Sequence, residues 1–154
     1  MLFLVFKLGD DRYALDASRV AEVVPLLSLK QMPQSPPGFA GILNYRGRPV
    51  PALDLCQLTL GRPAREQLST RIIILAYTGK NGRQHLLGLI AENATEMVRK
   101  QESDFVDPGV SFPNAPYLGP VLMEKSGAIQ RLYEQHLLTE SAENAIFQEH
   151  SAPA

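Results

Sequence analysis

The chain has 154 residues, of which 45% are hydrophobic and 20% are charged. This composition is that of a folded globular protein and excludes a disordered or fibrous chain. Fifteen basic and sixteen acidic residues give a net charge of -1 at pH 7. The chain therefore lacks the basic field on which nonspecific nucleic-acid binding depends, and we expect no nucleic-acid partner.

The N-terminal segment, residues 1–7, is apolar from its first residue. No basic stretch precedes it and no small-residue cleavage site follows it, so it is interpreted as a strand and not as an export signal. No apolar run approaches the roughly 20 residues that span a bilayer. The single cysteine suits a reducing compartment. We therefore expect a cytoplasmic protein without direct membrane insertion.

Short apolar segments alternate with turn residues about every ten positions, and the chain contains 11 Gly and 12 Pro. This spacing is typical of antiparallel β structure with tight turns. The first half predicts the following elements in chain order: a hairpin over residues 2–15, a helical turn capped by Asp16, a strand over 20–24, a proline-rich loop, a hairpin over 42–55, and a short helix ending at Gly61.

The second half repeats this order after a polar connector at residues 62–69. Residues 71–77, a turn at 79–82 and residues 85–91 match the opening hairpin. The first-half hairpin at 42–55 and the helix after it also have counterparts in the second half. At one constant offset, Val50, Leu53 and Leu58 correspond to the apolar residues Ile129, Leu132 and Leu137. After residue 138 the strand periodicity stops, which predicts a ragged polar tail with a helical turn near 145–147 whose removal costs little stability.

The sequence offers few groups for catalysis. The histidines His85, His136 and His150 lack the spacing of a metal site, and no phosphate-binding or acyl-transfer motif is present. Cys56 lies among leucines, which indicates a buried small hydrophobe. We expect no catalytic residue, no metal and no cofactor. The alternative, a small ligand-binding or enzymatic β-barrel, would need an apolar pocket with convergent polar groups between the two halves.

The most distinctive feature is a cationic hairpin tip. Arg46 and Arg48 flank the predicted turn, and Tyr45 stands between the turn-forming Asn44 and Arg46. The charges have two interpretations: solvated turn residues, or a recognition tip, since loops on a rigid β scaffold are common binding positions and Arg and Tyr are common interface anchors.

The segment with Gly41, Asn44-Tyr45-Arg46-Gly47, an apolar strand at 50–53 and Asp54-Leu55 resembles the hallmark of the chemotaxis coupling proteins, the CheW-like family. Residues 4–6, 8–9, 13–15 and 20–24 resemble the opening strands of the family, and a looser likeness extends to about residue 138. Two departures stand out. Tyr45 replaces the usual leucine, and residues 91–95 differ from the Val-Asp-x-Val that the family tends to have there.

The resemblance implies an all-β fold with short helices: two five-stranded SH3-like β-barrels packed around a shared hydrophobic core. The predicted boundaries are about 1–61 for the first barrel, 70–138 for the second and 139–154 for a C-terminal tail. It further implies a non-catalytic adaptor that couples the cytoplasmic tip of a chemoreceptor to the regulatory domain of a CheA-type histidine kinase. The protein would then associate with membrane receptor arrays through protein contacts. The departures favour a specialised sensory pathway over general flagellar chemotaxis.

The resemblance also implies a receptor-binding surface. Val20, Gly41 and Arg46 match family positions that influence receptor coupling, and a predicted close backbone approach explains the glycine. The neighbouring members of the predicted surface are Glu22, Asn44, Tyr45 and Gly47. No residues are assigned to kinase binding. The competing structural interpretation makes Arg46 a buried brace between the barrels.

Overall fold

The computed structural model describes residues 1–147, and this part of the chain contains nine β-strands and two short α-helices. They are β1 (Leu2–Leu8), β2 (Asp11–Asp16), β3 (Val20–Pro25), β4 (Phe39–Tyr45), β5 (Arg48–Asp54), α1 (Leu55–Leu60), β6 (Arg71–Thr78), β7 (Gln84–Arg99), β8 (Leu118–Glu124), β9 (Gly127–Leu132) and α2 (Glu140–Ile146). The predicted class, all-β with short helices, is confirmed. No helix in the described part combines the length and the apolar character needed to cross a membrane.

The strands form two five-stranded barrels that share the long strand β7. Barrel A contains β1, β2, β8, β9 and the C-terminal half of β7. Barrel B contains β3, β4, β5, β6 and the N-terminal half of β7. Each barrel includes one parallel pair, β2 with β9 in barrel A and β5 with β7 in barrel B.

This pairing corrects the predicted boundaries 1–61 and 70–138, because neither range forms a barrel by itself. Leu4 of β1 pairs with Met97 of β7, and Val23 of β3 pairs with Ile73 of β6. Each barrel therefore takes two strands from one half of the chain and three from the other. The two halves have the same strand pattern, so periodicity cannot distinguish pairing within a half from pairing between halves.

The predicted repeat is confirmed by the strand positions. The hairpin β4–β5 begins its two strands at Phe39 and Arg48, and β8–β9 begins its strands at Leu118 and Gly127, so both starts are displaced by the same offset along the chain. The contacts made by the two hairpins also correspond, since each places its second strand parallel to a strand of the other half. The two barrels are therefore equivalent units that exchange strands.

Three apolar clusters result from the alternation of side chains along the strands. In β1, Leu4, Phe6 and Leu8 face the cluster shared by both barrels, whereas Phe3 and Val5 face the interior of barrel A. The interior of barrel B contains the following buried residues: Leu43, Val50, Ile72, Ile74 and Ile90. Burial of β1 on both faces explains why this strand is apolar almost throughout.

The connector between the halves is held to the body by a buried carboxylate. Glu92 is only 4% exposed and accepts hydrogen bonds from the main-chain N–H groups of Gly9 (2.9 Å) and Arg65 (2.7 Å). The guanidinium of Arg62 lies 3.3 Å away. Burial opposes the charged form, but these hydrogen bonds outweigh it and lower the pKa of Glu92 to about 2.

The predicted ragged tail is wrong for residues 140–147, although the helical turn predicted near 145–147 coincides with the end of α2. The side chain of Thr139 caps α2 by accepting from the Ala142 N–H (3.1 Å), and Ala142, Ile146 and Phe147 pack against the shared cluster. Glu143 is buried and accepts a hydrogen bond from the Tyr77 hydroxyl (2.7 Å). One pair of apolar residues at helical spacing was too short a pattern to predict this docking. The rest of the predicted tail, including His150, lies outside the described residues.

Candidate functional site

The tip of the β4–β5 hairpin is a two-residue turn at Arg46 and Gly47. Both residues have positive φ, 51° and 83°, the combination that characterises a type I′ turn. The Asn44 side chain accepts a hydrogen bond from the Gly47 N–H (2.9 Å). The predicted turn role of Asn44 is confirmed, and the turn fixes the direction in which Arg46 leaves the hairpin.

Glu22 of β3 joins this tip. Its Oε2 accepts hydrogen bonds from the Tyr45 hydroxyl and from Nη2 of Arg46, the latter at 2.8 Å. The Arg46 guanidinium lies over the Tyr45 ring, 5.2 Å from its centroid. The hydrogen bond to Glu22 raises the pKa of the Tyr45 phenol. We call Glu22, Tyr45 and Arg46 the hairpin cluster.

The Arg46 side chain is 72% exposed, so the interpretation of Arg46 as a buried brace between the barrels is wrong. The guanidinium is a surface group, held on one side by Glu22 and by the face of Tyr45. An exposed cation whose backbone is held by a turn and whose guanidinium lies over an aromatic ring fits the recognition-tip interpretation.

The hairpin cluster lies where barrel B closes. Within barrel B the strands pair in the order β3-β6-β7-β5-β4, so β3 and β4 lie at the two ends of this order and are not paired with each other. Lys30 and Ile42 form a two-hydrogen-bond bridge there, both bonds 2.9 Å long, and Glu22 adds its contacts to the hairpin. The cluster therefore has a structural role in barrel closure beside any role in binding.

Barrel A closes in an equivalent way, with ion pairs of its own near the hairpin tip. Val106 bridges to Val121, which holds the place in β8 that Ile42 holds in β4. Near the tip of β8–β9, Glu124 is 3.0 Å from Nζ of Lys100 and 3.3 Å from Nη2 of Arg12. Hydrogen bonds from these two cations lower the pKa of Glu124. At the tip itself Lys125 holds the place of Arg46 and Glu124 the place of Tyr45, so barrel A also has an exposed cation at its turn, with a glutamate instead of the tyrosine before it.

Gly41 occupies a different environment from the hairpin cluster. It is buried, its φ is 144°, and a Cβ there would lie 2.6 Å from the Lys30 carbonyl oxygen. The sequence analysis placed Gly41 in the receptor-binding surface and explained it by a close backbone approach. In the structure this close approach is made by Lys30 of the same chain. Any side chain at this position would have to displace the bridge that closes barrel B.

Val20 lies on the same strand as Glu22, with a register shift between them. It is half-buried and packs against the cluster shared by the barrels. The structure therefore brings Glu22, Asn44, Tyr45, Arg46 and Gly47 together at the tip, and it places Val20 and Gly41 mainly in the packing beneath and beside it.

The sequence analysis did not identify a set of exposed apolar side chains on barrel A. Four side chains of the β7–β8 segment and β8 are between 54% and 69% exposed: Val106, Val110, Phe112 and Met123. We call these four residues the barrel A patch. Three of the four lie in the irregular segment between β7 and β8, which has no strand alternation from which exposure could be predicted, and Met123 lies on β8.

A groove of about 500 Å³ lies between the first-half prolines and the second-half loop and tail. Its walls include Pro36, Pro37, Tyr117, Leu138 and Ile146. This is where a ligand-binding barrel would place its pocket. Lys80, the positively charged group in the lining, donates through Nζ to the Leu138 carbonyl (2.7 Å), so this ammonium is engaged by the protein itself.

Groups with catalytic chemistry are dispersed in the described residues. No three His, Cys, Asp or Glu side chains among residues 1–147 lie close enough to hold a metal ion. Cys56 is buried, and burial together with Glu92 and Asp54 raises its pKa to about 12. The thiol is therefore protonated at neutral pH and is not an activated nucleophile. His85 stacks on Phe147 at a centroid distance of 4.1 Å.

Comparison with known proteins agrees with this architecture. A solved scaffolding protein, TtCheW from Thermoanaerobacter tengcongensis, superposes with a TM-score of 0.76 at 24% identity, covering 92% of this chain and 89% of that one. The likeness shows the fold, two SH3-like barrels.

Curated relatives match a smaller part of the chain. The chemotaxis protein CheW of Helicobacter pylori is 27% identical over 107 residues, which is 69% of this chain and 61% of that protein. CheW of Bacillus subtilis is 29% identical over 102 residues, 66% of this chain and 62% of that protein. The matched part therefore spans about three-fifths of these relatives. The family model described as the CheW-like domain matches residues 2–141, and the chain belongs to that family.

Proposed function

We propose that this protein is a non-catalytic adaptor that couples a chemoreceptor to a CheA-type histidine kinase in a bacterial chemosensory array. Membership of the CheW-like family and relatives named chemotaxis proteins support the proposal. The observation that carries it is the hairpin cluster, an exposed arginine on a rigid turn in a barrel fold. Coupling then works by scaffolding: holding both partners raises their effective concentration and lets a receptor rearrangement bias the kinase.

The receptor side of this proposal uses the hairpin cluster. A chemoreceptor tip is a helical hairpin, so it would present side chains from a helix face to the hairpin and to β3. Arg46 is suited to a charge-assisted hydrogen bond with an acidic side chain of such a helix. Gly47 and Asn44 contribute by fixing the turn, and Val20 and Gly41 contribute by supporting the strands.

A coupler needs a second surface for its second partner. The barrel A patch is a candidate, because it is apolar, exposed and carried by the barrel that lacks the hairpin cluster. We assign it to the regulatory domain of the kinase within this proposal. The two surfaces differ in chemistry, one cationic and one apolar, so each partner would have its own mode of recognition.

Arg46→Glu tests the receptor site. The variant should weaken binding to a receptor cytoplasmic fragment by about tenfold or more, because it removes a donor and adds repulsion against an acidic partner. Affinity is measured by calorimetry and the melting temperature in parallel. Arg48→Glu is the matched control, since Arg48 is exposed on the same hairpin and pairs opposite Tyr45. Equal losses for both variants, or unchanged binding by a folded Arg46→Glu protein, would reject the site.

A further inference from the structure

Two donors share one carboxylate oxygen in the hairpin cluster, and they differ in burial. Tyr45 is half-buried, and its ring packs against the apolar interior of barrel B. The Arg46 side chain is 72% exposed. An exposed ion pair is weak because water competes for both charges. Arg46 is therefore the donor that Glu22 loses more easily, and Tyr45 is the donor that stays.

We propose that Tyr45 is a positioning residue that makes Arg46 exchangeable. Its hydroxyl keeps the Glu22 carboxylate hydrogen-bonded while the Arg46 guanidinium turns from Glu22 to an acidic group of the receptor. This inference rests on the receptor binding proposed above. It concerns the residue at which the chain departs from the family pattern, where the usual leucine has no hydroxyl.

The argument follows from the partners of Glu22. Among the described residues, its carboxylate has two side-chain hydrogen-bond donors, Tyr45 and Arg46. With both present, transfer of Arg46 leaves Glu22 with one protein partner. With the phenol hydroxyl removed, the same transfer leaves the carboxylate, whose side chain is 35% exposed, dependent on water. Release of Arg46 is then less favourable, because a partly desolvated carboxylate loses a charge-assisted bond without replacement.

The backbone permits this exchange by side-chain rotation alone. The Gly47 N–H is bound to Asn44 and the turn holds Arg46 at positive φ, so the tip itself does not have to move. Tyr45 stays anchored in barrel B and keeps the hairpin tied to β3 through Glu22. The receptor therefore meets the same hairpin conformation before and after Arg46 changes partner.

A double-mutant cycle on receptor binding tests the inference. Affinity for a receptor cytoplasmic fragment is measured for the unmodified protein, Tyr45→Phe, Arg46→Ala and the double variant. Tyr45→Phe should weaken binding by about fivefold. Arg46→Ala should weaken it by about tenfold when Tyr45 is present and by less than about threefold in the Tyr45→Phe background, because Arg46 is then retained by Glu22.

The outcomes separate this inference from the function on which it rests. Equal effects of Arg46→Ala in both backgrounds would overturn the exchange and leave the receptor site intact. Loss of melting temperature in Tyr45→Phe with additive binding effects would also overturn it, since that is the signature of a merely structural tyrosine. No effect of Arg46→Ala in the unmodified protein would reject the hairpin site, and the inference with it.

An NMR observation gives a second, direct readout. With tyrosine labelled at ¹³Cζ, the resonance of Tyr45 should keep its position when the receptor fragment binds, because its hydrogen bond to Glu22 persists. The Nε–H resonance of Arg46 should shift. A moving Tyr45 resonance with an unmoved Arg46 resonance would show that the tyrosine, and not the arginine, turns to the receptor, and would contradict the inference.

Discussion

A chain truncated after Leu138 should be less stable than the full chain by roughly 4 kcal/mol or more, judged from the usual effects of removing buried apolar side chains and of leaving buried polar groups unpaired. The truncation removes Ile146 and Phe147 from the shared cluster. It also leaves the Tyr77 hydroxyl without Glu143 in a position where the tyrosine is 0% exposed. Denaturant unfolding followed by circular dichroism measures the difference.

A chain ending at Phe147 is the matched control for this truncation. It retains α2, the Thr139 cap and the ring contact between Tyr77 and Phe147, whose centroids are 5.5 Å apart. We expect its unfolding midpoint to lie close to that of the full chain. If truncation after Leu138 instead left the midpoint unchanged, α2 would contribute nothing and the packing described for it would be wrong.

Glu92→Gln should destabilise the protein at pH 7 by about 3 kcal/mol, the value that corresponds to lowering a carboxyl pKa from 4.5 to about 2. The amide keeps the size of the side chain but loses the charge that attracts Arg62 and strengthens the bonds from Gly9 and Arg65. The connector between the halves is then held less firmly to both barrels.

The pH dependence of this effect has a definite sign. The folded-state pKa of Glu92 is lowered, so its contribution is fully present above pH 4.5 and is lost as the pH falls toward 2. The stability difference between the protein and Glu92→Gln should therefore shrink over this range. Glu96→Gln, an exposed position on the same strand, should differ little from the unmodified protein. A Glu92→Gln effect that stayed constant from pH 7 to pH 3 would contradict the network.

Local structure was predictable because it depends on neighbouring residues. The hairpins, the cap at Asp16 and the helix end at Gly61 follow from turn chemistry and strand alternation, and the structure shows each of them. The internal repeat was visible for the same reason. The exchange of strands between the halves was not predictable. Met97 pairs with Leu4 of the other half, but a strand with the same apolar alternation is available within its own half.

The site shows the same division between local and long-range features. The exposure of Arg46 and the turn role of Asn44 were predicted from four consecutive residues. The hydrogen bonds of Glu22 could not be predicted in this way, because they depend on β3 and the β4–β5 hairpin meeting where barrel B closes. Gly41 was assigned to a partner because sequence cannot show that Lys30 fills the space beside it.

The burial of two carboxylates could not be predicted from the sequence. Glu143 lies in the segment predicted as a tail and Glu92 directly follows the predicted strand 85–91, yet these two residues are only 7% and 4% exposed. Their partners lie at least 27 residues away along the chain. Burial of a charge is favourable only with such partners, and these become visible only in the folded chain.

The most direct test of the proposed coupling is a three-component sedimentation assay. Membranes containing the receptor are mixed with the CheA-type kinase, with and without this protein, and the kinase in the pellet is measured. The account predicts that the kinase sediments with receptor membranes only when the protein is present, and that Arg46→Glu abolishes most of this recruitment while kinase binding in solution persists. Receptor and kinase that displace each other from the protein, or kinase that sediments equally without it, would contradict the account.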